Sequence, residues 1–196
     1  MPFVLAASYA PLVLIDKYYN ELRELFSFND SACCNTRPGK DETVLHLRGF
    51  SIELSGAARE RMDFQELDPD RTSHELLCHL QRGSKVAVVS RFGEEVMQPY
   101  IDSMTKRGIL ARAVTGQTGV QDFCFLKSAT KGLVGTWKST YLKTAAVLSD
   151  TVRNVTLYSL LKSAESSPSN ATMFRNEQMK LKNFTYPKFQ HIKVAL

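Results

Sequence analysis

Four short segments carry the side chains best suited to hold an anion: residues 48–53 (RGFSIE), 90–93 (SRFG), 115–122 (TGQTGVQD) and 135–140 (GTWKST). An arginine presents a planar fork of donors that matches a pair of pyrophosphate oxygens, which makes Arg48 and Arg91 candidate anion ligands. Thr115, Gln117 and Asp122 offer hydrogen-bonding edges to a base or sugar. Ser139 or Thr140 suits a helix start, where unsatisfied N–H groups favour phosphate, and Lys138 adds charge beside it. The GxxxxGK[ST] spacing of a phosphate loop is absent. Each residue also has a plainer reading. Arg48 would pair with a carboxylate, His46 would be a satisfied core histidine between Leu45 and Leu47, and Asp122 would be a first-turn acid favoured by the helix dipole. Ser139 and Thr140 would only cap.

These segments interest us together because of the elements that precede them. Thr43–Leu47, Lys85–Val89, Leu110–Val114, Leu133–Val134 and Val155–Tyr158 read as strands, and Lys85–Val89 is apolar enough to be buried on both faces. Between them lie helical patterns at Arg71–Gln81, Glu94–Lys106, Val120–Ser128 and Tyr141–Ser149, with Gly83 and Gly108 as stops. The alternation predicts an α/β fold, a doubly wound, Rossmann-like parallel sheet over residues 43–162. In such a sheet ligands bind outside the carboxyl ends of the strands, so the four segments converge on one rim. If one pyrophosphate is to be gripped there, Arg48 must lie within about 15 Å of the amino end of the Tyr141 helix. Residues 1–42 read as an N-terminal helix (Tyr18–Phe28) and loop. Residues 163–196 read as a polar, basic tail or an extension packed across the sheet domain.

Two stretches, Val44–Glu53 (VLHLRGFSIE) and Val88–Tyr158, resemble the donor-binding half of GT-B glycosyltransferases of the fucosyltransferase superfamily. The residues that carry the resemblance are His46-Leu47-Arg48 at a strand end, Asp122-Phe123 with Leu126 and Ala129, and Ser139-Thr140-Tyr141 at a helix start. The resemblance implies the C-terminal domain of a GT-B fold, a guanosine-diphosphate sugar donor, usually GDP-fucose, and inverting transfer without a bound metal or separate cofactor. Arg48 would then hold the β-phosphate and stabilise the leaving diphosphate. Ser139 and Thr140 would contact phosphate, and Asp122 with the Thr115–Gln117 loop would hold base or ribose. Glu53 is the carboxylate to test as general base. Two departures stand out. Gly49 occupies the position where several such enzymes have a second arginine. Only about 42 residues precede the first strand, where GT-B enzymes have an acceptor domain of comparable size, so a partial chain or a non-catalytic nucleotide-binding module is the alternative.

Composition narrows the partners. A hydrophobic fraction of 43% is that of an ordinary globular protein, so most of the chain is expected to fold. The net charge of +5 is spread without a run of five like charges, which points to a local phosphate site rather than nucleic acid. Binding of nucleic acid through the basic and aromatic residues of the tail (Lys180, Lys182, Phe184, Tyr186, Lys188, Phe189) is the third reading. No stretch reaches the roughly 18 apolar residues of a membrane span. Cys33 and Cys34 are too close for an unstrained bridge, while Cys78 and Cys124 read as buried small hydrophobes. Four N-glycosylation sequons (Asn29, Asn154, Asn170, Asn183) fit a lumenal enzyme of the Golgi or endoplasmic reticulum, with the cytoplasm as the alternative. The acceptor, glycan or protein, is not specified by any of these residues.

Overall fold

The computed structural model describes residues 36–48, 66–161 and 188–195, together with Glu21, Glu24 and Cys34. Runs of β-branched and aliphatic residues become strands, and the amphipathic runs between them become helices. In chain order the elements are β1 (Glu42–His46), α1 (Pro69–Arg71, continued by a π-helical turn Thr72–Leu76), β2 (Lys85–Val89), α2 (Glu94–Lys106), β3 (Leu110–Val114), α3 (Gly119–Lys127), β4 (Gly132–Thr136), α4 (Thr140–Val147), β5 (Asn154–Leu161) and β6 (Lys188–Ala195).

All neighbouring strands pair in parallel, in the order β3-β2-β1-β4-β5-β6. This is a Rossmann-like sheet, with the direction of winding reversing between β1 and β4. The register across that junction is Thr43 to Gly132 through His46 to Gly135. Because side chains alternate across the sheet, each strand feeds two cores. Val44, Ala87, Val89 and Leu133 pack under α3 and α4 with Phe125, Leu126, Leu142 and Ala145. Leu45, Leu47, Val86 and Val88 pack with Leu76, Leu77, Met97, Tyr100 and Met104 of the α1 and α2 layer. Burial on both faces explains the nearly continuous apolar run of β2.

Three expectations are corrected. The first concerns the first helix, expected over Arg71–Gln81, which begins at Pro69 and closes by Leu77. Asp68 caps it, accepting from the Arg71 amide at 3.0 Å, and Pro69 takes the first-turn position where its missing N–H costs nothing. Its early end is held from outside: the Arg107 guanidinium, at the end of α2, donates to the carbonyls of Ser73, Leu77 and Leu80. Those carbonyls need no further helical turn.

The second concerns the tail, which is not peripheral throughout: Lys188–Ala195 is β6, paired along its length with β5. Phe189 turns towards the α3/α4 core and Ile192 and Val194 towards the other. The third concerns Cys78, which is exposed, whereas Cys124 is buried as expected. The expected Tyr18–Phe28 helix lies outside the described residues, apart from Glu21 and Glu24, which are helical. Cys33 and the sequons at Asn29, Asn170 and Asn183 lie outside them too. Asn154 is exposed at the start of β5. Among the described residues, no helix is long and apolar enough to cross a membrane.

Candidate functional site

The strand order reverses its winding between β1 and β4, and in open parallel sheets the carboxyl ends at such a reversal are where ligands bind. His46 is the last residue of β1 and shares the parity of Val44, so it faces the α3/α4 layer. It is 6% exposed. Its ring centroid is 5.8 Å from that of Tyr141, and its Nδ1 is 3.5 Å from Ser139 Oγ. Burial, and then the charge of Arg48, lower the His46 pKa to about 3, so the imidazole is neutral at physiological pH.

Gly135 lets α4 come this close. A Cβ there would lie 2.5 Å from a Leu142 methyl and 3.1 Å from the His46 carbonyl oxygen. With only hydrogen at that position, α4 sits down on the β1/β4 junction. Ser139 caps the helix, its Oγ accepting from the Leu142 amide at 3.1 Å. Ser139 is fully buried and Thr140 half-buried. The Ser139 hydroxyl is therefore engaged inside the protein. An anion at this helix start would meet backbone N–H groups and the Thr140 hydroxyl instead.

Tyr141 is the hub that connects three elements. Its ring meets His46 on one side and Phe123 edge-on at 5.4 Å on the other. Its hydroxyl donates to the Gly119 carbonyl in the first turn of α3. The amino ends of α3 and α4 thus lie side by side, directing both positive helix ends to one place. Burial, followed by the charges of Asp122 and Cys124, pushes the Tyr141 phenol up, so it stays protonated. Tyr141 appeared in the sequence only as the third residue of a short motif. Its role as a link depends on long-range packing, which spacing does not reveal.

Asp122 lies in this first turn of α3, 7% exposed, and burial pushes its carboxyl up. It is not the capping residue. Thr118 and Gln121 form a reciprocal capping box, with the Thr118 amide donating to Gln121 Oε1 at 2.8 Å and the Gln121 amide to Thr118 Oγ1 at 3.3 Å. In the preceding loop Thr115 is exposed. Gln117 donates through Nε2 to Thr36 Oγ1, while its Oε1 is buried without a hydrogen-bond partner among the described residues.

The remaining positions spread along the rim. Arg48 follows the end of β1 by two residues, and its charge is felt at His46. Arg48 is half-buried. Arg91, at the end of neighbouring β2, is exposed and its guanidinium lies 4.7 Å over the Phe92 ring. Lys138 is exposed in the turn before α4. His46, Ser139 and Thr140 therefore meet at the junction, with Arg48 just past the end of β1 and Asp122 in the neighbouring first turn of α3. Arg91, Thr115 and Gln117 lie towards the β3 edge, and Glu53 is outside the described residues.

No family model, curated protein or solved structure matches the chain. The site therefore has to be interpreted from its own chemistry. It combines a cationic side chain, two helix amino ends, a neutral imidazole and a buried carboxyl, a set suited to an anionic ligand with a polar, uncharged moiety. Among the described residues, no three His, Cys, Asp or Glu side chains are grouped to hold a metal ion.

Proposed function

We propose that this chain binds a nucleotide-diphosphate sugar, GDP-fucose first among candidates, and serves as the donor half of a fucosyltransferase-like glycosyltransferase. The observation that carries the reading is the seating of the α4 amino end against His46 at the β1/β4 winding reversal, two residues before Arg48. In this reading the diphosphate lies across the junction, between the Arg48 guanidinium and the open N–H groups of α4. The Asp122 and Thr115–Gln117 side of the rim takes the base and ribose.

Inverting transfer of the sugar forms a bond from an acceptor oxygen to the anomeric carbon while the bond to the β-phosphate oxygen breaks. Negative charge grows on the departing diphosphate, and the Arg48 guanidinium and helix amides stabilise it more in the transition state than before. Lys138 and Arg91 add to the positive field along the rim. Glu53, five residues beyond Arg48, is the carboxylate to test for taking the acceptor proton.

The decisive experiment is thermal denaturation with GDP and with GDP-fucose. Saturating nucleotide should raise the melting temperature, and Arg48→Ala should remove the rise while leaving the ligand-free melting temperature within about 2 °C. No rise with any guanosine or uridine diphosphate sugar would sink the reading. A rise without transfer to any glycan or protein acceptor would leave a nucleotide-binding module.

A further inference from the structure

Ser139 has one hydroxyl and uses it twice. Its oxygen accepts the Leu142 amide at 3.1 Å, which opens α4, and stands 3.5 Å from His46 Nδ1. Two arrangements satisfy those distances. In the first, Ser139 gives its proton to an unprotonated Nδ1. In the second, Nδ1 carries a proton and donates it to Ser139. The second loads the oxygen with two donors and leaves its own proton in need of another acceptor, at a residue with 0% exposure. Among the described residues the Ser139 hydroxyl has no acceptor other than His46 Nδ1, and a buried O–H without a partner is disfavoured. The first arrangement therefore prevails.

A neutral imidazole has a single N–H, so a ring that accepts at Nδ1 must carry its proton on Nε2. We infer that Ser139 is a positioning residue that locks the His46 imidazole as the Nε2–H tautomer, giving the end of β1 one fixed hydrogen-bond donor beside Arg48. The contact is built into the backbone: Gly135 admits Leu142 and brings Ser139 against the ring. The Tyr141 ring packs beside it, with centroids 5.8 Å apart. Resting on the nucleotide reading above, this assigns the donor's counterpart as a hydrogen-bond acceptor of the bound nucleotide, either a phosphoryl oxygen or a base carbonyl.

The tautomer is observable without any ligand. Long-range proton–nitrogen correlation spectra of protein labelled at its four histidines separate the two ring forms, and His46→Gln identifies the signal. In the wild type and in Ser139→Thr, His46 should show a proton on Nε2 alone. Ser139→Asp retains a helix cap but has no proton to give, so the ring should switch to Nδ1–H. Ser139→Ala should give a mixture. A wild-type ring protonated on Nδ1 overturns the proposal, as does an Nε2–H ring unchanged in both Ser139→Ala and Ser139→Asp. Should Ser139→Asp not fold, the wild type and Ser139→Ala still decide.

Titration with GDP and with pyrophosphate then tests the use of the donor. A roughly tenfold loss of affinity in His46→Leu, which removes the donor without adding charge, indicates a phosphoryl contact if it holds for both ligands, and a base contact if it holds for GDP alone. Unchanged affinity for both in His46→Leu overturns the assignment of the donor to the nucleotide. An Nε2–H ring in a protein that binds neither ligand removes the nucleotide reading but not the tautomer lock.

Discussion

The two ends of β1 bury polar side chains by opposite means. At the amino end, Glu42 is 5% exposed and keeps its charge. Burial pushes its carboxyl up, but the Arg112 hydrogen bonds, the Gly39 amide and the charges of Arg112 and Lys85 outweigh this and hold it below its ordinary value. Arg112 grips both carboxylate oxygens at 2.7 and 2.8 Å. It reaches across β2 at Ala87, whose small side chain leaves room, and lies 5.7 Å over Phe125. At the carboxyl end, His46 is buried as a neutral ring, and the helix amino ends beside it have amides to offer. One end is closed by its own charges. The other leaves the first backbone amides of α4 to be satisfied, and that contrast separates a structural ion pair from a candidate ligand site.

The largest break in this contrast should come from Gly135→Ala. The added methyl meets Leu142 and the His46 carbonyl, lifting α4 off the junction. We expect a loss of about 2–3 kcal/mol in urea unfolding and, under the proposed function, weaker nucleotide binding. An unchanged stability would show that α4 does not need this close approach.

Acid should distinguish the two ends next. The His46 pKa is about 3 in the folded protein against 6.5 when unfolded. The unfolded chain therefore binds more protons between those values, and stability falls as pH drops below about 6.5. From this group alone, stability at pH 5 should be about 2 kcal/mol below that at pH 7. Paired melts of the wild type and His46→Gln should show this increment missing from the variant. Glu42 shares the sign but acts lower, its contribution being lost as pH falls below the ordinary carboxylate range.

The smallest effect belongs to Arg112→Met, which strands the Glu42 carboxylate. Because the Arg112 side chain is 48% exposed, water already screens the pair. The expected loss is about 1–2 kcal/mol, discounted from that of a fully buried pair. Under the proposed function, nucleotide affinity should not change. A drop in affinity would mean that the ends are coupled through the strand.

Much of the sheet was legible because periodicity and stop signals agreed. The patterns placed β2, β3 and α2 at the boundaries the structure gives, and the Gly108 stop follows α2 with φ +75°. β6 was missed because an edge strand pairs on one side only and buries few side chains, leaving a weak alternation among lysines. The first helix was misplaced because Asp68-Pro69, a cap followed by a first-turn proline, was overlooked, and because Arg107 closes it from 27 or more residues away. At the candidate site, residue types and strand ends indicated which rim to inspect. That Ser139 spends its hydroxyl internally and Tyr141 joins three elements depends on packing between distant segments. Neither was visible in spacing.

The sixth strand has a consequence for the order of folding. β5 ends at Leu161, and its partner begins only at Lys188. Until β6 docks, eight residues of β5 present unpaired amides and carbonyls along an open border. A chain folded only as far as β5 offers an adhesive ribbon to its neighbours. Association between chains should therefore be greatest in the interval before β6 covers that border.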